Sequence, residues 1–346
     1  MSLLFSFLLA CSATKGTDSG TSDDTATQSC GVEISATYPY LNATDMYYRS
    51  MITITLSQED AGASVILEDA QGNSIDGTAT NEGTTLSFQP LTPLTPSTDY
   101  IAKVDYCGSE ELVSIPFRTS DLGTPLSGGI ESLQDMTFAV DLTSGIVVEP
   151  VGVGELLRGL LENTFLIHVD TVSTNELTVV SALSQVDSID QDFCTPTLND
   201  FPAVNIIDAP FFSLSAESLE LTVAAYSARV YNFAVYGTFA SDASYFGGAY
   251  LEGEIDAREI QPLLADFGIE AENADDVCNL LINFGVPCIE CSSDGEAYCL
   301  RLVLDQLVAN AIESEIYPVC SSNCHNLCTE NLETCNDPQT LEETCE

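Results

Sequence analysis

Between Val32 and Thr119 apolar residues recur at every second position, in short runs broken by turn residues. Ile52, Ile54 and Leu56 share one face of such a run, with Thr53 and Thr55 opposite. Val65 and Leu67 repeat the pattern before the turn Asp69-Ala-Gln-Gly72, and Leu86 and Phe88 precede Pro90. Tyr100, Ala102, Val104 and Tyr106 alternate with Ile101, Lys103 and Asp105, and Val113, Ile115 and Phe117 make the last run. A period of two belongs to a strand with one buried face, because successive side chains leave the pleat on opposite sides. About seven short strands in roughly ninety residues predict a β-sandwich.

Particular landmarks go further than the period. Phe88-Gln-Pro90, then Leu94-Thr-Pro-Ser-Thr-Asp-Tyr100, then Phe117-Arg-Thr119 resemble the bacterial Ig-like domain of S-layer proteins and surface lipoproteins, over residues 31–119. The resemblance implies an Ig-like sandwich at 30–120 that acts as a spacer or adhesive module without catalysis. It also implies a bridge. Cys30 starts the first strand and Cys107 ends the penultimate one, and an Ig-like topology places those points at one pole.

The N-terminus reads as an address. Leu3 to Ala10 form an apolar run interrupted only by Ser6, too short at about 12 Å of helix to span a bilayer. Leu8-Leu9-Ala10-Cys11 resembles a bacterial lipobox, which implies a signal peptide at 1–10 and lipidation of Cys11. Residues 12–29 are almost wholly Ser, Thr, Gly, Asp and Ala, a composition that cannot bury a core. With Cys11 they form a tether (11–29) reaching roughly 24 Å as a flexible coil. Ser12 after the cysteine points to the outer membrane. The expected location is therefore the cell envelope, as an outer-membrane lipoprotein facing the periplasm or the surface.

Charge narrows the partners. There are 53 Asp and Glu against 8 Lys and Arg, a formal net charge of -45. Such a surface repels phosphate backbones, which excludes nucleic acid. It also excludes attachment to anionic headgroups through a basic patch. The remaining partners are the membrane, through the N-terminal lipid, and a cell-envelope or extracellular polymer or protein. No cofactor is expected beyond weakly bound calcium, for which Asp187, Asp190 and Asp192 are the candidates.

From 130 to 258 the chain again reads as strands, at Met136–Leu142, Phe165–Val172, Glu176–Val186, Ser218–Tyr226, Arg229–Phe239 and Gly248–Ile255, with a short helix at Gly154–Leu161. Gly152-Val-Gly154 lacks the third glycine of a dinucleotide fingerprint, since Leu157 stands there. Aromatic residues crowd this segment: Phe201, Phe211, Phe212, Tyr226, Tyr231, Phe233, Tyr236, Phe239, Tyr245, Phe246 and Tyr250. They fit a filled β core with tyrosines on its rims, or an apolar cavity that holds a lipid or other hydrophobic ligand. The pattern leaves both open.

After Glu259 the period changes. Val277, Leu280, Leu281 and Phe284 fall at helical spacing before Gly285, and Leu300, Leu304, Leu307, Val308 and Ala311 predict a second amphipathic helix. The expected fold is thus mainly β: an Ig-like sandwich, a second β-rich domain, and a helical, disulfide-bonded region at 259–346 packed on it. The chain has 13 cysteines. Cys11 aside, the even remainder is expected to pair in an oxidising compartment: Cys30, Cys107, Cys194, Cys278, Cys288, Cys291, Cys299, Cys320, Cys324, Cys328, Cys335 and Cys345.

Chemistry finds little purchase in this pattern. Cys288-x-x-Cys291 with Cys320, Cys324 and Cys328 has zinc-like spacing, yet exported thiols oxidise before they meet metal. Cys320 to Cys324-His325 misses haem-attachment spacing by one residue, and Cys288-x-x-Cys291 lacks the βαβ context of a thiol-exchange pair. His168 and His325 are the only histidines; His168 lies in an alternating strand and reads as a satisfied, partly buried residue. No hydrolase motif occurs, so no catalytic residue is assigned. The expected role is a non-catalytic cell-surface structural or adhesive module, with a carrier or receptor for an apolar small molecule or lipid as the alternative.

Overall fold

A computed structural model describes residues 30–108, 111–151, 164–193, 195–198, 201–223, 226–259, 261, 271–283 and 285–319. The expected signal peptide and tether (1–29, with Cys11), the helix at 154–161, Phe284, His325 and six cysteines (Cys194, Cys320, Cys324, Cys328, Cys335 and Cys345) lie wholly or largely outside those residues.

The N-terminal domain is built from seven antiparallel strands: β1 Ile34–Tyr38, β2 Ile52–Leu56, β3 Ser64–Asp69, β4 Gly77–Glu82, β5 Thr85–Pro90, β6 Asp99–Asp105 and β7 Val113–Arg118. They form two sheets, β1-β2-β5-β4 and β3-β6-β7. The alternating residues meet between the sheets: Ile52, Ile54, Leu67, Leu86, Ala102 and Val104 are all buried, and Tyr100 stacks on Phe117. Cys30 and Cys107 are joined by a disulfide that closes the N-terminal end of β1 onto the end of β6.

The second domain is a closed barrel. Its strands are β8 Thr137–Val140, β10 Phe165–Val172, β11 Glu176–Leu183, β12 Val204–Asn205, β13 Phe211–Val223, β14 Tyr226–Phe239, β15 Tyr245–Asp256 and β16 Cys299–Ile312, with β9 Ile146–Glu149 as an extra strand. The hydrogen-bonded order runs β15-β14-β13-β12-β11-β10-β8-β16, and β16 pairs back to β15, so the ring closes. β16 does double duty on its other edge, pairing β9 through Val303 to Asp305 and β8 through Ala309 to Ile312. Bulges break the register in β10, β14, β15 and β16, which gives the sheet the extra coil that closure requires.

The last barrel strand overturns a sequence expectation. The segment holding Leu300, Leu304, Leu307, Val308 and Ala311 is strand β16 and not a helix. Two residues of β15 face three of β16, since Ala249 pairs Leu307 and Leu251 pairs Leu304, with Gln306 at a positive φ of 58° in between. That extra residue turns a two-residue period into a three-residue interval and imitates a helix. Val308, which a helix would bury beside Leu304, is 39% exposed. The barrel therefore extends through residue 312, and the C-terminal part is not a wholly helical region.

What separates β15 from β16 is an insertion. It carries the expected first helix, α1 Ala274–Asn283, which buries Val277 and Cys278 against Ala257 and stops at Gly285, where φ is 83°. Disulfides Cys278–Cys288 and Cys291–Cys299 staple it. Elsewhere the strands β13 and β15 begin earlier than their pattern predicts, at Phe211 and Tyr245, because Phe212 and Phe246 continue the inward face.

Ser127 donates its backbone N–H and side-chain hydroxyl to the Ser241 carbonyl, and Leu122 is buried in the sandwich core with Ala240 of the barrel. The two domains thus share apolar packing. Tyr47 lies against Gly248 so closely that a Cβ there would fall 2.4 Å from its ring.

Candidate functional site

The barrel's inward positions converge on an apolar cavity of about 130 Å³. Each strand supplies alternate residues: Phe138 and Val140 from β8, Phe165, Ile167 and Val169 from β10, Leu177, Val179 and Ser181 from β11, Phe212, Leu214 and Leu219 from β13. β14 gives Phe233, Val235 and Phe239, β15 gives Phe246, Ala249 and Leu251, and β16 gives Leu307. Four phenylalanines form one aromatic wall, with Phe212 and Phe239 ring centres 4.9 Å apart, Phe212 and Phe246 5.1 Å apart, and Phe138 within 5.5 Å of both Phe239 and Phe246. Gly237 makes room for that wall, since a Cβ there would stand 2.9 Å from the Phe212 ring.

Ser181 is the one lining residue with a polar side chain. It is fully buried, and its hydroxyl has no hydrogen-bond partner among the described residues. In the sequence it marks where the inward series Leu177, Val179 breaks its apolar rule. That interruption was the signal available for it, and without the cavity it reads as an ordinary serine.

The aromatic residues of the segment divide by face. Phe201, Phe212, Phe233, Phe239 and Phe246 look into the lumen. Tyr236 and Tyr250 stack on the outer face, ring centres 4.9 Å apart and 13° from parallel. Burial pushes the Tyr236 phenol up to about 12, helped by Tyr250, Glu252 and Asp305. Tyr47, Tyr48 and Arg49 from the sandwich cover the next part of that outer face. The Tyr47 and Thr238 hydroxyls are 2.7 Å apart, and the Arg49 guanidinium sits 3.7 Å over the Phe211 ring. Burial raises the Tyr47 phenol well above its ordinary range, more than the Thr238 hydrogen bond lowers it.

The remaining sequence candidates are placed as follows. Asp187, Asp190 and Asp192 lie in and after a turn past β11, where the Asp190 carboxylate accepts a hydrogen bond from Ser188. Among the described residues they do not converge as a cation cluster; the one group of metal-binding residue types within 4.8 Å is Asp256, Cys291 and Cys299. Both sulfurs there are in a disulfide, which leaves no thiolate, and Asp256 is held by Arg258 at 2.6 Å. Cys288 and Cys291, the candidate pair for zinc or thiol exchange, belong to two separate disulfides. His168 faces Thr137 at 2.9 Å through Nδ1, a partnered residue on the outer side of β10.

These features define a class: a two-sheet antiparallel sandwich carrying an antiparallel barrel with an apolar lumen. The family of bacterial Ig-like domains matches residues 29–114, so the N-terminal domain is a bacterial Ig-like domain. Such domains occur in bacterial surface proteins, consistent with a cell-envelope or extracellular location. Among solved structures, CopC from Methylosinus trichosporium OB3b is similar at 14% identity over 26% of this chain and 93% of its own, with a TM-score of 0.22. No curated protein matches the chain. Among the described residues no helix is long and apolar enough to cross a membrane.

Proposed function

We propose that this protein is a lipid-anchored binding protein of the cell envelope, whose barrel holds a small apolar molecule while the Ig-like domain mounts it on the membrane through Cys11. The observation that carries the reading is the lumen. A void of about 130 Å³ in an otherwise close-packed interior costs roughly 3 kcal/mol at about 24 cal/mol per Å³. An occupant removes that cost. An apolar cavity of about 150 Å³ stays dry and takes up benzene, so this one suits a molecule of similar bulk or the end of an alkyl chain. Eight-stranded barrels are just wide enough to be filled by side chains or to hold one small ligand. The role is binding without catalysis.

The test uses the oxidised full-length chain. Native mass spectrometry of freshly extracted protein, followed by titration with benzene, should show one apolar molecule per chain. Ala249→Leu, which builds into the lumen, should weaken benzene binding at least tenfold. Should the barrel come out empty, take up no benzene, and the whole protein instead adhere to cells or matrix polymers, the surface-module reading replaces this one. The outward stacked pair Tyr236 and Tyr250 would then be the natural contact.

A further inference from the structure

Lys103, Arg118, Arg258 and Arg301 each reach a carboxylate, at 2.6, 3.0, 2.6 and 2.9 Å. Arg49 reaches none among the described residues, in a chain that carries 53 Asp and Glu. Aromatic residues of both domains hold its guanidinium instead. Nε donates to the Tyr48 hydroxyl at 3.0 Å, and that hydroxyl lies 3.3 Å from the Thr238 hydroxyl of β14. The guanidinium carbon stands 3.7 Å over the ring of Phe211, the first residue of β13. The sandwich thus supplies the arginine and the barrel fixes its plane. Neither η nitrogen has a hydrogen-bond partner among the described residues.

Tyr48 and Arg49 form one wall of a pocket of about 190 Å³, and the segment from Gln89 to Pro93 forms the other. Two backbone hydrogen bonds tie that segment down: Leu91 donates to the Asp76 carbonyl at 3.0 Å and Leu94 to the Tyr48 carbonyl at 2.9 Å. Leu91 is 70% exposed and gives the pocket an apolar lip. An arginine whose Nε is engaged keeps its η fork, which matches a carboxylate through two parallel hydrogen bonds. Stacking on Phe211 orients the fork before anything binds, so less freedom is lost on binding.

We propose that this pocket binds a small monocarboxylate with an apolar body, the carboxylate on the η fork of Arg49 and the body against Tyr48, Pro90 and Leu91. The acidity of the chain sets the limit, because a surface of net charge -45 repels a polyanion far more than a single carboxylate. The pocket suits a body of one six-membered ring, since benzene fits a cavity of about 150 Å³. No residue lines both this pocket and the lumen, so the site stands independently of the lumen's occupant.

Benzoate and its neutral isostere benzamide make the test, titrated by calorimetry into the oxidised full-length protein. Wild type should prefer benzoate by about tenfold or more. Arg49→Gln should erase that preference while leaving benzamide within about twofold. Arg49→Lys keeps the charge but gives up the fork and the stack, so it should fall between, and it carries the comparison if the glutamine variant does not fold. Ala249→Leu, which builds into the lumen, should leave benzoate affinity within about twofold. Equal affinity of wild type for the two probes, or a preference that survives Arg49→Gln, would overturn the proposal. So would loss of benzoate binding in Ala249→Leu, which puts the probe in the lumen. Failure of wild type to bind benzoate would overturn the proposal and leave the reading of the lumen intact.

Discussion

The sandwich and the barrel are written in the same period-two code, yet one is full and the other is not. In the sandwich two small sheets face each other at about 10 Å, a distance that the side chains of two inner faces fill by interdigitating. Ile54, Leu67, Leu86 and Ala102 are accordingly 0% exposed in a continuous core. In the barrel the wall separation is set by the number of strands and their stagger. Across that span even Phe138, Phe212, Phe239 and Phe246 leave a space of about 130 Å³. The lesson is that burial and filling are separate properties. Alternation secures the first, and only closure geometry decides the second.

The largest effect that could break the comparison comes from the sandwich's staple. Replacing Cys30 and Cys107 together by serine opens a bridge spanning 77 residues and should cost about 4 kcal/mol by loop-closure entropy. Amide hydrogen exchange under mild denaturant should show that loss in β1 to β7 and much less in β8 to β16. Equal loss in both would mean that the domains unfold as one unit, consistent with their shared apolar contact.

Next in size is the same substitution made in both interiors. Ala102→Leu overfills the sandwich and should destabilise it by about 1–3 kcal/mol. Ala249→Leu enters the lumen and should leave stability unchanged or raise it. Urea midpoints of the two variants, compared with wild type, decide the matter. Two losses of similar size would show the lumen to be as tightly packed as the sandwich core.

The smallest effect sharpens the contact between the two regions. Tyr47→Phe removes one hydroxyl from Thr238 and should cost about 1 kcal/mol. It should also change the pH profile. The unfolded phenol ionises near its ordinary value of about 10, while the folded Tyr47 phenol is held neutral above that. Its stabilising contribution is therefore complete below about pH 10 and is lost as pH rises beyond it. Thermal unfolding from pH 8 to 11 should fall less steeply in Tyr47→Phe than in wild type. Parallel profiles would mean that Tyr47 ionises in the folded protein as freely as in the unfolded one.

Local pattern by itself determined five strands of the sandwich, the inward set Ile52, Ile54 and Leu56, and strands such as Phe165–Val172, because a two-residue period is a property of neighbouring side chains; β1 and the wholly exposed β4 carry no such period. It determined helix α1 for the same reason, at a period near four. Composition likewise set the acidity, a formal net charge of -45. β16 was misread because a bulge at Gln306 is a tertiary event. The extra residue is accommodated only because β15 stands alongside, and the sequence shows its consequence, the Leu304 to Leu307 interval, without its cause. Closure lay equally out of reach, since the hydrogen bonds between β15 and β16 join segments separated by the whole stapled insertion. Whether the phenylalanines of β13 to β15 would meet or leave a space depended on that closure.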